Sequence, residues 1–167
     1  MAETNPQPFR VCFVCTGNIC RSPMAEVVFR SHVERAGLGH AVAVASAGLG
    51  SWHVGDPPEH GTVEVLAQHG LDGSQLRARQ FRPAELGTLD LVIGLDRGHL
   101  RALQQHAGQH ADKVRLLRDY DPDADGPDVP DPYGGPLRDF EHVYRLTEAA
   151  MPGLLDAVRN DLDRISR

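Results

Sequence analysis

The chain of 167 residues is poor in cysteine, lysine and aromatic residues, and it has no long hydrophobic run. Its three cysteines lie within nine residues, which is not the pattern of a disulfide framework, and no later cysteine completes a structural zinc site. Its apolar runs are far shorter than the roughly 20 residues that cross a bilayer, and its first residues lack the basic and apolar regions of a signal peptide. We therefore expect a cytoplasmic protein with no metal and no membrane partner.

The charge of the chain narrows its range of partners further. Seventeen basic residues stand against 23 acidic ones, which gives a net charge of −6. Proteins that bind nucleic acid usually present a broad cationic face, so no nucleic-acid partner is expected. Lys113 is the only lysine, and the other basic residues are arginines. Lysine-dependent chemistry would rest on that one residue, whereas the planar fork of arginine suits a phosphate or a carboxylate.

Short apolar runs alternate with helical patterns along the chain. Strands are predicted over 10–15, 41–47, 89–95 and 114–117, and helices over 23–37, 57–69, 97–106 and 138–164. Ser22 is the expected N-cap of the first helix, with Pro23 at its first position. This alternation favours an α/β fold of three layers, doubly wound, with a four-stranded parallel sheet and helices on both faces. Residues 1–9 are predicted as a flexible leader and residues 10–167 as a single domain.

The segment after the first predicted strand has the composition of an anion-binding loop. In parallel sheets, ligands bind beyond the carboxyl ends of the strands, and here Cys15 is followed by five residues and then by Arg21 and Ser22. A loop of this length can turn its backbone N–H groups inward, since Gly17 and Asn18 both tolerate left-handed φ. Together with a helix N-terminus it makes a cradle for a phosphate, which Arg21 can grip with two hydrogen bonds. The same positive field, and a hydrogen bond from Ser22, favour a thiolate at Cys15, which is a nucleophile directed at phosphorus.

Other interpretations of this loop are less satisfactory. A Walker A loop ends in Gly-Lys followed by Ser or Thr, whereas this loop ends in Cys20-Arg21-Ser22. Cys12 and Cys15 have the CxxC spacing of a redox pair, but an odd separation on a strand directs the two side chains to opposite faces. Taken alone, Cys15 is also compatible with an inert core cysteine at the end of a strand.

Two blocks of the sequence together resemble the signatures of low-molecular-weight protein tyrosine phosphatases of the bacterial type. The first is VCTGNICRSPMAE at 14–26, and the second is VPDPY at 129–133. The resemblance runs from about Arg10 to the last helix. It implies hydrolysis of phosphotyrosine, and of small aryl phosphates, through a phosphocysteine intermediate without a cofactor. Tyrosine-phosphorylated proteins are then the substrates, inorganic phosphate is the product, and a monomer is expected.

The resemblance also assigns roles to individual residues. Cys15 is the nucleophile, Arg21 holds the phosphoryl oxygens, and Asp131 is the general acid and then the general base. The residues implied to bind substrate are Thr16, Gly17, Asn18, Ile19, Cys20, Ser22, Trp52 and Tyr133. Cys20 is a candidate redox partner that forms a reversible disulfide with Cys15, with plain packing as the alternative. Without the resemblance, Asp131 would equally fit a solvated turn-forming loop.

The sequence departs from the family pattern at one rim position, and related activities remain as alternatives. Gly134 follows Tyr133 where many members have a second tyrosine, which implies a more open cleft. A protein-arginine phosphatase of the same fold is one alternative, but such enzymes tend to have threonine where Ile19 stands, and the apolar Ile19 better suits an aryl ester. A non-catalytic phosphotyrosine-binding module is another, although it would lack the nucleophile or the acid. Arsenate reductases require cysteines beyond Cys20, and the chain has none.

Overall fold

The structure is a computed structural model that describes residues 7–166. Within that range, four parallel strands form one sheet: β1 (Phe9–Cys15), β2 (Val42–Gly48), β3 (Leu91–Gly94) and β4 (Val114–Leu116). Their spatial order is β2-β1-β3-β4. The chain therefore moves outward from β1 to β2 and returns to β3 on the other side of β1. This reversal places the ends of β1 and β3 at the switch point where such sheets bind ligands.

Helices connect the strands and cover both faces of the sheet. They are α1 (Arg21–Arg35), α2 (His60–Gln68), α3 (Arg97–Ala107) and α4 (Leu137–Ile165), with short 3₁₀ helices at Pro83–Gly87, Gly108–Lys113 and Leu117–Tyr120. Helices α1, α2 and α4 pack together on one side, and α3 packs against β3 and β4. The predicted α/β fold with a four-stranded parallel sheet is confirmed. No helix within residues 7–166 is long and apolar enough to cross a membrane.

Alternate residues of β1 enter two separate hydrophobic cores. Phe13 and Cys15 belong to the core beneath α1 and α4, where the ring of Phe13 meets that of Phe29 edge-on at 5.8 Å between centroids. Cys12 and Val14 belong to the smaller core beneath α3. Because both faces of the strand are buried, its sequence is apolar at every position except Arg10, which is exposed near the start of the strand. Cys12 and Cys15 consequently lie on opposite faces.

The start of the first helix differs from the sequence prediction. Helix α1 begins at Arg21 with Cys20 at the N-cap position, so the prediction of Ser22 as N-cap is wrong. The hydroxyl of Ser22 is instead buried within the first turn, where it contacts Cys15 and Asn18. The leader predicted at residues 1–9 lies mostly outside the described residues.

Candidate active site

The loop between β1 and α1, residues 16–20, has an unusual backbone at one position. Asn18 has a φ of 59°, the one positive φ at a residue other than glycine within 7–166. Asparagine tolerates this left-handed region better than most residues. Gly48 at the end of β2 permits the loop to approach closely, because a Cβ there would lie 2.9 Å from the carbonyl carbon of Gly17. The tight turn therefore depends on residues from two separate segments.

Five successive backbone N–H groups of this loop have no protein acceptor in the part of the chain that the structure describes; they belong to Thr16, Gly17, Asn18, Ile19 and Cys20. The loop borders a cavity of about 190 Å³. All predicted site residues line this cavity except Asn18 and Ser22, which are buried behind it. His53, which was not predicted, also lines the cavity. Unpaired backbone donors and the positive end of α1 both favour an anion here.

Cys15 ends β1 and is 3% exposed. Its Sγ lies 3.0 Å from Oγ of Ser22. The Ser22 oxygen accepts a hydrogen bond from Nδ2 of Asn18 at 2.8 Å. Its own hydrogen has two acceptors in reach, the Cys15 sulfur at 3.0 Å and the carbonyl oxygen of Ala47 at 3.4 Å, and the shorter contact favours donation to the sulfur. A hydroxyl donor and the N-terminus of α1 both stabilise a thiolate over a thiol.

A chain of buried hydrogen bonds fixes the loop to its surroundings. Nδ2 of Asn18 also donates to Oγ of Ser46 on β2 at 2.9 Å, and Ser46 donates to Oε1 of Glu26 at 2.6 Å. Glu26 is 6% exposed and forms an ion pair with Arg30. On its other side, Oδ1 of Asn18 accepts the backbone N–H of Arg79 at 3.0 Å. Glu26 lies in the first sequence block without a predicted role, and here it anchors the residues that hold Cys15.

The guanidinium of Arg21 is buried and held from two sides. Its Nη1 donates to Oδ2 of Asp96 at 2.8 Å and to the carbonyl of Val129 at 3.0 Å. Burial raises the pKa of Asp96, but hydrogen bonds from the backbone N–H of His99 and from Arg21 outweigh it, so that the pKa is lowered. Asp96 is therefore an anion that orients Arg21 beside the cavity.

Asp131 lies at the mouth of the cavity, on the loop that precedes α4. Its side chain is 56% exposed, and its Oδ2 lies 3.8 Å from Nη2 of Arg21. Its Oδ1 accepts the backbone N–H of Tyr133 at 3.1 Å. A carboxyl group in this position can exchange protons with a ligand in the cavity and with solvent.

Aromatic side chains flank the same opening. Trp52 is 75% exposed and Tyr133 is 60% exposed. The ring of His53 lies beside that of Tyr133, with centroids 6.3 Å apart. Gly134 follows with a φ of 77°, and a Cβ at this position would meet no atom within 4 Å. Exposed rings around an anion site favour a ligand whose phosphate is attached to a flat apolar group.

The other two cysteines differ in environment from Cys15. Cys20 is buried and lines the cavity, and burial together with the nearby Cys15 raises the pKa of its thiol. Cys12 belongs to the opposite core, where burial raises its pKa to about 12. Cys20 is thus a neutral thiol at the last position of the loop, and Cys12 is remote from the loop. Within residues 7–166, no group of three or more His, Cys, Asp or Glu side chains is arranged to hold a metal ion.

Sequence reasoning missed Asp96 and His99, which reach the loop from the junction of β3 and α3. Asp96 is the N-cap of α3, and its Oδ1 accepts the backbone N–H of His99 at 2.9 Å. Nε2 of His99 lies 2.9 Å from Oγ1 of Thr16. An acidic N-cap directly after the third strand was the available signal, since that strand end lies at the switch point of the sheet.

Comparison with known proteins agrees with this geometry. The model of the family described as low molecular weight phosphotyrosine protein phosphatase matches residues 10–164. A low molecular weight protein-tyrosine-phosphatase of Streptomyces coelicolor is 55% identical over 159 residues, which cover 93% of this chain and 96% of the relative. The crystal structure of YfkJ from Bacillus subtilis matches with a TM-score of 0.88 at 37% identity, over 95% of this chain and 99% of that one.

A solved YwlE arginine phosphatase is also similar, with a TM-score of 0.81 at 31% identity, over 92% of this chain and 97% of that one. The family match extends over nearly the whole chain and includes both sequence blocks, so the resemblance is confirmed. The chain belongs to the low molecular weight phosphotyrosine protein phosphatase family.

Proposed function

We propose that the protein is a protein-tyrosine phosphatase that removes phosphate from tyrosine-phosphorylated proteins. The observation that carries this proposal is the position of Cys15, whose sulfur faces the Ser22 hydroxyl at 3.0 Å. Cys15 stands at the start of a loop in which five N–H groups have no acceptor among residues 7–166. A protein that only binds a phosphoryl group would require the loop and Arg21. A nucleophile and a carboxyl group, Asp131, that line the same cavity are the additional requirements of hydrolysis.

The first chemical step transfers the phosphoryl group to sulfur. The thiolate of Cys15 attacks phosphorus in line, an S–P bond forms, and the bond between phosphorus and the phenolic oxygen breaks. Asp131 donates its proton to the departing oxygen, so that a neutral tyrosine leaves. The loop N–H groups and Arg21 stabilise the negative charge on the three equatorial oxygens, because these donors need little rearrangement.

The second step releases phosphate and restores the enzyme. The carboxylate of Asp131 accepts a proton from a water molecule as the water oxygen attacks phosphorus. The S–P bond breaks, and its electrons return to Cys15 as a thiolate. Inorganic phosphate is the product, and no cofactor takes part in either step.

The lining of the cavity favours an aryl phosphate as substrate. Ile19 contributes an apolar side chain, and Trp52 and Tyr133 add exposed rings at the opening. These groups can enclose a phenyl ring that carries a phosphate. The similarity to a solved arginine phosphatase makes phosphoarginine the second candidate substrate.

A matched panel of peptides tests the substrate class. One peptide sequence is prepared with phosphotyrosine, phosphoserine or phosphoarginine, and phosphate release is measured for each. We expect kcat/KM to be highest for phosphotyrosine by at least about tenfold, since a lost ring contact of about 1.4 kcal/mol already gives that factor. A higher value for phosphoarginine would replace the tyrosine assignment. Tight binding of phosphotyrosine with no phosphate release would favour a binding module.

The remaining expectations accompany this proposal. We propose a single catalytic domain over residues 10–167, and the extent of the family match supports it. We also propose a cytoplasmic monomer, in which the cavity is complete within one chain.

Cys20 is proposed to protect Cys15 from irreversible oxidation. Hydrogen peroxide converts the Cys15 thiolate to a sulfenic acid, and attack by the Cys20 sulfur then forms a disulfide and releases water. After peroxide treatment followed by dithiothreitol, we expect the Cys20→Ser variant to regain several-fold less of its starting activity than the unmodified protein. Cys12→Ser is the matched control, because Cys12 lies in the opposite core. Equal recovery in all three proteins would leave Cys20 with a packing role only.

A further inference from the structure

His99 is buried between the end of β3 and the loop, with 3% of its surface exposed. Its Nδ1 accepts two backbone N–H groups, from Leu95 at 3.3 Å and from Asp96 at 3.2 Å. A ring nitrogen that accepts these bonds carries no hydrogen. The hydrogen of the neutral imidazole is therefore on Nε2.

The environment of His99 keeps its ring neutral. Burial, and then the positive charge of Arg21, lower the pKa of His99 to about 4. The carboxylates that oppose this shift belong to Asp96, Asp131 and Asp128. At neutral pH the ring is consequently a donor at Nε2 and an acceptor at Nδ1.

Within residues 7–166, the Nε2–H group has one hydrogen-bond acceptor in reach. Oγ1 of Thr16, the first residue of the loop, lies 2.9 Å away. Nη2 of Arg21 lies 3.4 Å from the same nitrogen, but a guanidinium can only donate, so it is not an acceptor for Nε2–H. The two shorter bonds to Nδ1 place the hydrogen on Nε2, where this longer contact forms no hydrogen bond. The Thr16 oxygen therefore accepts from His99, and its own hydrogen is left to donate elsewhere. Thr16 lines the cavity, and an anion bound there would be the strongest acceptor for the Thr16 hydroxyl.

We propose that His99 is a positioning residue, which holds the Thr16 hydroxyl so that its hydrogen is donated to the phosphoryl group bound in the loop. Donors then follow one another in a single direction: backbone N–H to Nδ1, Nε2–H to Thr16, and Thr16 O–H to a phosphoryl oxygen. His99 itself does not touch the substrate. This inference rests on the proposed function only in taking the bound anion to be a phosphoryl group.

Two substitutions of His99 distinguish the loss of the Nε2–H donor from the loss of the packing of the ring. In His99→Asn, the side-chain oxygen can still accept the backbone N–H groups of Leu95 and Asp96, but the shorter side chain does not reach Thr16. In His99→Gln, the longer amide reaches the position of Nε2 and can donate to Thr16. His106→Gln is the matched control, because His106 is exposed on the same helix.

The dissociation constant of inorganic phosphate and the kcat and KM for p-nitrophenyl phosphate are the measured quantities. We expect His99→Asn and Thr16→Val each to weaken phosphate binding and to lower kcat/KM by about 3- to 10-fold, the effect of one neutral hydrogen bond. We expect His99→Gln and His106→Gln to stay within about twofold of the unmodified protein. The double variant His99→Asn/Thr16→Val should be no weaker than either single variant, because both remove the same donor.

Additive losses in the double variant would overturn the proposal, since His99 would then act independently of Thr16. Equal losses in His99→Asn and His99→Gln would also overturn it. The nitrogen NMR shifts of the imidazole give a further check on the unmodified protein, because a ring protonated on Nδ1 is incompatible with the proposal. Should the unmodified protein bind phosphate without hydrolysing the ester, the proposed function fails, and the binding measurements still decide the role of His99.

Discussion

The Cys15→Ser variant is expected to lose turnover of p-nitrophenyl phosphate by a factor on the order of 10⁴ or more. A serine hydroxyl is not ionised at neutral pH, and the group that faces it at position 15 is the Ser22 hydroxyl, which is a hydrogen-bond donor and too weak a base to remove its proton. The loop donors and Arg21 are unchanged by this substitution, so phosphate is expected to bind within about tenfold of its original affinity. The measurements are steady-state hydrolysis and a phosphate dissociation constant from calorimetry.

Retained binding separates this result from simple unfolding. Cys12→Ser is the matched control, because it changes a buried cysteine of the same strand on the opposite face of the sheet. Its activity per folded molecule should equal that of the unmodified protein. Appreciable turnover in Cys15→Ser would mean that another group attacks phosphorus, and the phosphocysteine mechanism would be abandoned.

The Asp131→Asn variant is expected to discriminate between leaving groups. Phenyl phosphate expels a basic oxygen that must be protonated, so kcat/KM, which reports the transfer to sulfur, should fall by about 10²–10⁴-fold. p-Nitrophenyl phosphate expels a stabilised anion and should lose far less. The amide has the shape of the carboxyl group, and the exposed position of Asp131 limits any effect on stability. The ratio of the two kcat/KM values is therefore the quantity to measure, because hydrolysis of the phosphocysteine is the same for both esters and does not enter it.

An exposed neighbour in the same loop provides the control for Asp131. Asp123→Asn removes one negative charge from that loop without touching the cavity, and it should leave the ratio of the two kcat/KM values unchanged. If both esters lose activity equally in Asp131→Asn, the carboxyl group contributes charge or positioning and does not transfer the proton.

The architecture could be predicted from local patterns because each pattern has a single physical cause. A strand segment buried on both faces must be apolar, and residues 11–15 of β1 are. Strands that alternate with helices must pair in parallel, and the observed sheet is parallel. The N-cap of α1 could not be predicted in this way. Local propensity favours Ser22, but its hydroxyl makes tertiary contacts with Cys15 and Asn18, and the helix begins one residue before it.

The supports of the loop were less accessible to sequence reasoning because they come from distant segments. Asp96 lies 75 residues from Arg21 in the chain, and His99 lies 83 residues from Thr16. Their contacts follow from the pairing of β3 with β1, which brings both strand ends to one edge. Glu26 was visible in the first sequence block, but its partner Ser46 is on β2. A role that depends on the register between strands cannot be assigned from one segment alone.

The turn at Gly134 also bears on whether a second tyrosine could be accommodated at the rim of the cavity. Its φ of 77° is one that residues with a side chain rarely adopt, although there is open space around it. A tyrosine introduced there would strain the backbone by about 1–2 kcal/mol before it contacted anything. A rim with a second tyrosine at this position is therefore expected to go with a turn of different backbone geometry.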